Sequence, residues 1–265
     1  MDAREIIERY ESGERDLSKA NLRGANLSQA NLSGAILCEA GLSVSNLSGA
    51  DLSRTDLREA NLCWANLTGA NLSGVDLRDA DLTEANLKKA NLRGADLWFT
   101  NLSGANLNGA NLMGADLRLA HLNGARLSQA CLSRANLWLA DLSKANLENA
   151  DLNRASSWLA NFGEASLSGA NLSGAYFRGA NMSQVNLSRA NLSEINLRGA
   201  NLCEACLREA NLRGADLSQT DMSNADLSGA DLNQANLNGA TVLSTQLGAA
   251  NSLTGAILPD GARFD

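Results

Sequence analysis

A five-residue period runs without a gap from about residue 15 to residue 247. Leu stands at every fifth position from Leu17 to Leu247 in 41 of 47 repeats, with Ala two residues before it in 38 and Asn or Asp between them in 36. A period this strict describes a coil that meets itself at fixed intervals, each repeat packed on a copy of itself. Helix is excluded, because a turn of 3.6 residues would smear a five-residue period around its axis. In the unit Ala20-Asn21-Leu22-Arg23-Gly24 the first and third positions are apolar, which is the inward, outward, inward alternation of extended chain. The fourth and fifth positions are mostly Ser, Arg, Gly, Glu and Gln and must turn the chain in solvent. Of 23 Gly, 17 fall at the fifth position, which marks it as a site where φ > 0 is often needed.

Length sets no domain count for such a chain, since a solenoid grows without splitting. Apolar residues make up 45% of the 265 but aromatics only 4%, so the core is predicted to be Leu and Ala. A net charge of −7 is too mild to argue for a nucleic-acid partner. The five cysteines, Cys38, Cys63, Cys131, Cys203 and Cys206, are odd in number and scattered, which does not read as a disulfide framework. No apolar run approaches a membrane span, and a cytoplasmic location is the expectation.

Runs such as Ala105-Asn106-Leu107-Asn108-Gly109 and Ala225-Asp226-Leu227-Ser228-Gly229 resemble the unit A-(D/N)-L-x-x of the pentapeptide-repeat family. The resemblance covers about nine tenths of the chain. It implies an all-β solenoid, a right-handed quadrilateral β-helix with four pentapeptides per coil and about 12 coils. At roughly 4.8 Å per coil such a rod is about 55–60 Å long. The pairs Trp98-Phe99, Arg118-Leu119, Trp138-Leu139 and Trp158-Leu159 recur every 20 residues, in keeping with four repeats per coil.

Three segments follow: residues 1–14 as an N-terminal helical cap, 15–250 as the β-helix and 251–265 as a C-terminal cap. Asp2-Ala3-Arg4-Glu5 resembles a capping box, and Ile6, Ile7 and Tyr10 lie on one side of a short helix ended near Gly13. At the other end the register slips by one residue between Asn251 and Leu253, before the turn signal Leu258-Pro259-Asp260-Gly261. These ends are similar to those of cytoplasmic cyanobacterial members of the family, including regulators of heterocyst differentiation.

In so regular a chain the departures carry the information. The fourth-position column reads Arg58, Arg78, Trp98, Arg118, Trp138, Trp158, Arg178, Arg198, and the fifth-position column beside it holds Phe99, Leu119, Leu139 and Leu159. Trp98, Phe99, Arg118, Leu119, Trp138, Leu139, Trp158 and Leu159 are therefore expected to form one partner-binding strip, with the aromatics as anchors and Arg facing the partner's carboxylates. The bland alternative is cross-coil stacking that stabilises the coil alone.

His121, Arg126 and Cys131 replace Asn or Asp in three successive repeats, and on four repeats per coil Asp141 lies one coil beyond His121. No nucleophile or pocket accompanies that His–Asp pair, and Cys131 falls on the opposite face, so neither catalysis nor a shared metal follows. Ser157 takes a core Leu position; either Phe177 fills the space it leaves, or a local bulge turns Trp158 or Leu159 inward. Cys203-Glu204-Ala205-Cys206 has C-x-x-C spacing but neither a βαβ context nor further zinc ligands.

No phosphate-binding loop is present beyond glycines that merely repeat with the period. The chain is read as a non-enzymatic protein–protein interaction scaffold, regulatory in role, with no cofactor, no metal, no nucleic acid and no membrane, as a monomer or homodimer. The resemblance to cyanobacterial members suggests differentiation control. The rival readings are a DNA mimic that binds or protects DNA gyrase, as some family members do, and a structural spacer.

Overall fold

The computed structural model describes residues 3–265. They fall into two compact units, Met1–Cys131 and Leu132–Asp265. Both are wound by the same rule. The second position of each repeat pairs in parallel with the residue 20 positions on, as in Asn21↔Gly41 and Asn46↔Asn66 in the first unit and Asn161↔Asn181 and Asn191↔Asn211 in the second. Twenty residues are four repeats, so each turn of the coil has four faces.

Each repeat contributes a single bridge residue rather than a longer strand, because two of every five residues form the turn. Within each unit the backbone nonetheless pairs from coil to coil along each ladder. The Leu22 N–H donates to the Gly41 carbonyl at 2.7 Å, and the Gly41 N–H donates to the Ala20 carbonyl at 2.9 Å. The turn closes where the Ala25 N–H reaches the Leu22 carbonyl at 3.0 Å, with the fifth-position residue left-handed. Gly24 has φ 68, yet non-glycine residues adopt the same conformation, among them Lys19 at φ 58 and Gln29 at φ 61.

The third-position Leu and first-position Ala are fully enclosed, as at Leu47, Ala50, Leu187 and Ala190. The polar second position is the less obvious part of the design. In the second unit Asn171 Nδ2 donates to Asp151 Oδ1 at 3.0 Å, Asn191 Nδ2 to Asn171 Oδ1 at 3.2 Å and Asn211 Nδ2 to Asn191 Oδ1 at 3.1 Å. Each Oδ1 also accepts from its own turn, as from the Ser193 N–H onto Asn191 at 3.2 Å. An Asn thus serves the coil behind, the coil ahead and its own turn. An Asp can only accept, and Asp151 stands at the starting end of this run.

Helix α1 (Ala3–Glu11) precedes the first turn of coil. Its Ile6 is fully buried, and the Tyr10 hydroxyl donates to the Ser33 carbonyl at 2.8 Å. The expected capping box begins at Asp2, outside the described residues.

At the far end the regular ladder stops at Thr241, and α2 (Ser244–Leu247) occupies what the period counts as the last repeat. Leu247 is accordingly half-buried rather than in the leucine column. The Gln246 side chain makes good the missing rung. By the ladder's own rule residue 246 should donate its backbone N–H to the Ala225 carbonyl; that N–H instead serves α2, and Gln246 Nε2 reaches the carbonyls of Ala225 at 2.7 Å and Met222 at 2.9 Å. Pairing then resumes one residue out of phase, with Asp231↔Ser252 and Asn236↔Ile257. The slip legible in the sequence has its cause in this helix.

Ser157 shows what the interior tolerates. Buried hydroxyls at the first position find carbonyls, as Ser45 Oγ does on Leu42 at 2.7 Å and Thr100 Oγ1 on Leu77 at 2.7 Å. Ser157 sits at the third position, aimed into the apolar axis, and its Oγ has no hydrogen-bond partner. No bulge forms: Asn136↔Ser156 and Ser156↔Tyr176 keep the register, and Trp158 and Leu159 are 45% and 46% exposed. Phe177 is fully buried in the same column and packs on Phe162 with ring centroids 5.1 Å apart. The small residue and the two large ones form one compensated set. Ser157→Leu and Phe177→Leu should each lower the thermal midpoint, the first by overpacking and the second by leaving a cavity. The double variant should lose less than the two singles together, with a coupling of about 1–2 kcal/mol in a double-mutant cycle.

Candidate functional site

In the first unit the column before Trp98 is ionic. Arg58 grips Asp56 through Nε at 2.9 Å and Nη2 at 2.6 Å and leans towards Asp76 at 3.7 Å. Arg78 holds Asp76 at 2.6 Å and reaches Asp96 at 3.5 Å. Arg118 holds Asp116 with Nε at 2.8 Å and Nη2 at 2.6 Å. The spacing is local chemistry: an Arg two residues after an Asp on the same face folds back onto it. Hydrogen bonding from Arg58 therefore holds the Asp56 carboxyl below the usual carboxylate range.

Trp98 interrupts this column: Asp96 accepts the Trp98 backbone N–H at 3.2 Å, as the other aspartates do from their Arg, but has no guanidinium from its own repeat. Trp98 is half-buried against Phe99, with centroids 5.8 Å apart; Phe99 is 48% exposed and meets the edge of His121 at 5.6 Å. Leu119 is half-buried on the next coil, where the Phe99 N–H donates to the Arg118 carbonyl at 3.0 Å. Trp98, Phe99, Arg118 and Leu119 are thus brought together. Arg118, however, is already committed to Asp116 and is not the free cation expected for a partner's carboxylate.

In the second unit Trp138 and Trp158 stack, with centroids 6.0 Å apart and rings 16° from parallel. Leu139 and Leu159 follow them on the same two coils and are exposed. Trp138 Nε1 is enclosed without a hydrogen-bond partner, a cost of about 1–3 kcal/mol that the stacked ring must offset. Tyr176 stands on the third coil of this face and is 59% exposed, a residue the sequence reading passed over. Its signal was present, because it replaces the usual Asn or Asp. The expected single strip divides between the two units: Trp98, Phe99, Arg118 and Leu119 lie in one, Trp138, Leu139, Trp158 and Leu159 in the other.

Two further residues escaped notice in the first unit. Val44 and Trp64, one coil apart, are 50% and 62% exposed in left-handed turns at φ 53 and φ 61. A β-branched residue there is strained, since left-handed backbone crowds its Cβ.

His121 and Asp141 belong to different units, and Asp141 Oδ1 accepts from the Ser143 N–H at 3.0 Å and Asn161 Nδ2 at 2.9 Å. No disulfide joins the cysteines among the described residues, and burial foremost pushes the Cys63 thiol up to about 11, away from a reactive thiolate. No group of His, Cys, Asp or Glu suited to a metal ion occurs among the described residues. No described helix is long and apolar enough to cross a membrane.

A family model described as pentapeptide repeats matches in 8 copies, over residues 16–43, 45–83, 80–118, 120–156, 159–193, 180–219 and 205–242. The chain belongs to the pentapeptide-repeat family. Pentapeptide-repeat proteins fold as right-handed quadrilateral β-helices, and the pairing of residues 20 apart is that fold's four-sided turn.

Among solved pentapeptide-repeat structures, one similar to this chain is HetL of the cyanobacterium Nostoc sp. strain PCC 7120, a protein involved in heterocyst differentiation regulation. It is 33% identical with all of both chains covered and a TM-score of 0.38. Rfr23 of the cyanobacterium Cyanothece 51142 is 34% identical over 46% of this chain and 93% of its own, with a TM-score of 0.34. QnrB1, a plasmid-mediated fluoroquinolone resistance protein, is 20% identical over 67% and 86%, with a TM-score of 0.41. Comparison with curated proteins gave no match.

The depressed carboxyl of Asp56, held by Arg58, and those of Asp221 and Asp226, held by the Ser223 and Ser228 hydroxyls, predict the acid response of this pentapeptide-repeat protein. Their folded values lie below the unfolded one, about 3.9. Their contribution is therefore complete above that pH and is lost as pH falls through the folded values. Thermal midpoints should stay level from neutrality to about pH 5 and fall below about pH 4, with a shallower fall in Asp56→Asn.

Proposed function

We propose that this pentapeptide-repeat protein is a non-enzymatic interaction scaffold, regulatory in role and cytoplasmic, with α1 capping the first coil of its β-helix. One observation carries the reading. Large apolar side chains stand exposed at a turn position that so often holds glycine: Phe99 at φ 55, Leu139 at φ 57 and Leu159 at φ 56, with the half-buried Leu119 at φ 59 beside Phe99. Left-handed backbone costs a non-glycine residue about 1–2 kcal/mol. Exposed apolar area adds no folding stability in return. A partner that buries those side chains makes sense of both costs.

The contact residues we assign are Trp98, Phe99 and Leu119 with the Arg118–Asp116 pair beside them, and Trp138, Leu139, Trp158 and Leu159. Differentiation control is the setting taken from HetL, a protein involved in heterocyst differentiation regulation. The DNA-mimic reading asks for sustained negative surface, whereas Asp56, Asp76 and Asp116 are each paired with an Arg.

Pull-down from native lysate with wild type beside Trp98→Ser/Trp138→Ser tests the proposal. Partners retained by wild type and lost in the double variant are expected, and identical partner sets reject it. A DNA gyrase supercoiling assay with wild type should show no inhibition or drug protection; either effect would put the rival first.

A further inference from the structure

In the first unit every Arg of the Trp98 column is neutralised by the Asp two residues before it. The face that carries Trp138 and Trp158 in the second unit lacks those aspartates. Its second positions are Asn136, Ser156 and Tyr176, paired in parallel on consecutive coils. Arg178 follows Tyr176 by two, so no carboxylate of its own repeat can reach back to it. At the corner preceding this face stand Arg134 and Arg154, also one coil apart, where the Arg134 N–H donates to the Asn153 carbonyl at 3.0 Å. All three guanidinium groups are exposed, and none has a hydrogen-bond or ion-pair partner among the described residues.

These cations frame an apolar field. Between them lie the Trp138–Trp158 stack, Leu139, Leu159 and Tyr176. The field is built rather than incidental. Leu159 lies over the next turn, where a Cβ on Gly179 would come within 2.9 Å of its Cδ2. Over these three coils the face carries no Asp or Glu at its second, fourth or fifth positions. The aspartates of the flanking faces are engaged: Asp141 Oδ1 accepts from Asn161, and Asp151 Oδ1 from Asn171, at 2.9 and 3.0 Å. A chain of net charge −7 has thus kept a locally cationic face around its most aromatic patch.

We infer that this face of the second unit binds an acidic protein segment carrying apolar or aromatic anchors, its carboxylates meeting Arg134, Arg154 and Arg178 and its anchors covering Trp158, Leu159 and Tyr176. The inference rests on the scaffold reading and narrows it to one class of partner. Charge complementarity chooses the sign, because unpaired guanidinium groups beside an apolar centre steer and hold carboxylates. A single-stranded nucleic acid is the weaker fit. It needs aromatic faces spaced for separate bases, whereas the two indoles are stacked on each other, and the flanking turn column is leucine.

The test is fluorescence anisotropy with a labelled peptide of about ten residues alternating Asp or Glu with Leu and Phe, long enough to cross the face when extended. Parallel probes carry Lys for the acids, or Ser for the apolar residues, and a fourth is oligo(dT). The acidic apolar peptide should bind wild type best, and more weakly as salt rises. Arg154→Glu, Arg178→Glu and Trp158→Ser should each weaken it about tenfold. Arg154→Glu/Arg178→Glu should gain affinity for the Lys peptide. The Arg154 column accepts Glu, since Glu194 already holds its turn at φ 57; a cooperative thermal transition in each variant checks that it is folded. Equal binding of acidic and Lys peptides, no saturable binding, or preference for oligo(dT) overturns the inference. Failure here while Trp98→Ser/Trp138→Ser still loses lysate partners rejects the acidic class and leaves the scaffold reading standing. Identical lysate partners reject the scaffold reading itself.

Discussion

The left-handed residue at the fifth position of each repeat is the constraint on which the rest depends. A turn of two residues returns the chain to the axis in five, and four such turns close a coil of 20. Only then does each Leu fall over another Leu and each second position over another second position. Glycine lowers the cost of that backbone, yet Lys, Gln, Glu, Arg and Asn adopt it many times over, as at Lys144 with φ 59 and Glu209 with φ 56. Their local cost is repaid by the ladder, where within each unit donors and acceptors find partners on the neighbouring coil within 2.6–3.1 Å. A turn that costs something in isolation is held in place by the pairing it makes possible.

The second position answers a different demand. It faces solvent, so burial cannot explain its strict identity. A side chain there must accept a hydrogen bond from its own turn, and in a stack it gains by donating to the coil behind. Asn does both; Asp does the first alone. Asp51 and Asp151 therefore begin Asn runs, while Asp56, Asp76 and Asp116 recruit Arg. The A-(N/D)-L pattern is the sequence record of one buried and one exposed ladder.

That logic explains what could be read without coordinates. The four-sided coil, the core and the register slip near Asn251 were legible because each repeat reports the same geometry. The roles of single side chains were not. The period places Arg118 in a column but does not say that Asp116, two residues earlier, will claim it. It shows Leu247 in phase but not that α2 will take the repeat, since Gln246 substitutes for a rung only through its side chain. Trp64 and Tyr176 were departures of the same kind as Trp98. They stand in other columns than Trp98, and exposure depends on every position of the face.

The departures also show why function in such a coil must sit where it does. First and third positions are enclosed, and even the single Ser157 requires Phe162 and Phe177 to fill around it. The second position is tied to the ladder, and a change there loses hydrogen bonds on two coils. The fourth position and the left-handed fifth are the places whose side chains no neighbouring coil requires. Large apolar groups at those positions stabilise little, and at the fifth they strain the turn. The patch with Phe99 and the patch with Leu139 and Leu159 occupy these freest positions, and that placement is the ground on which contact with a partner is proposed.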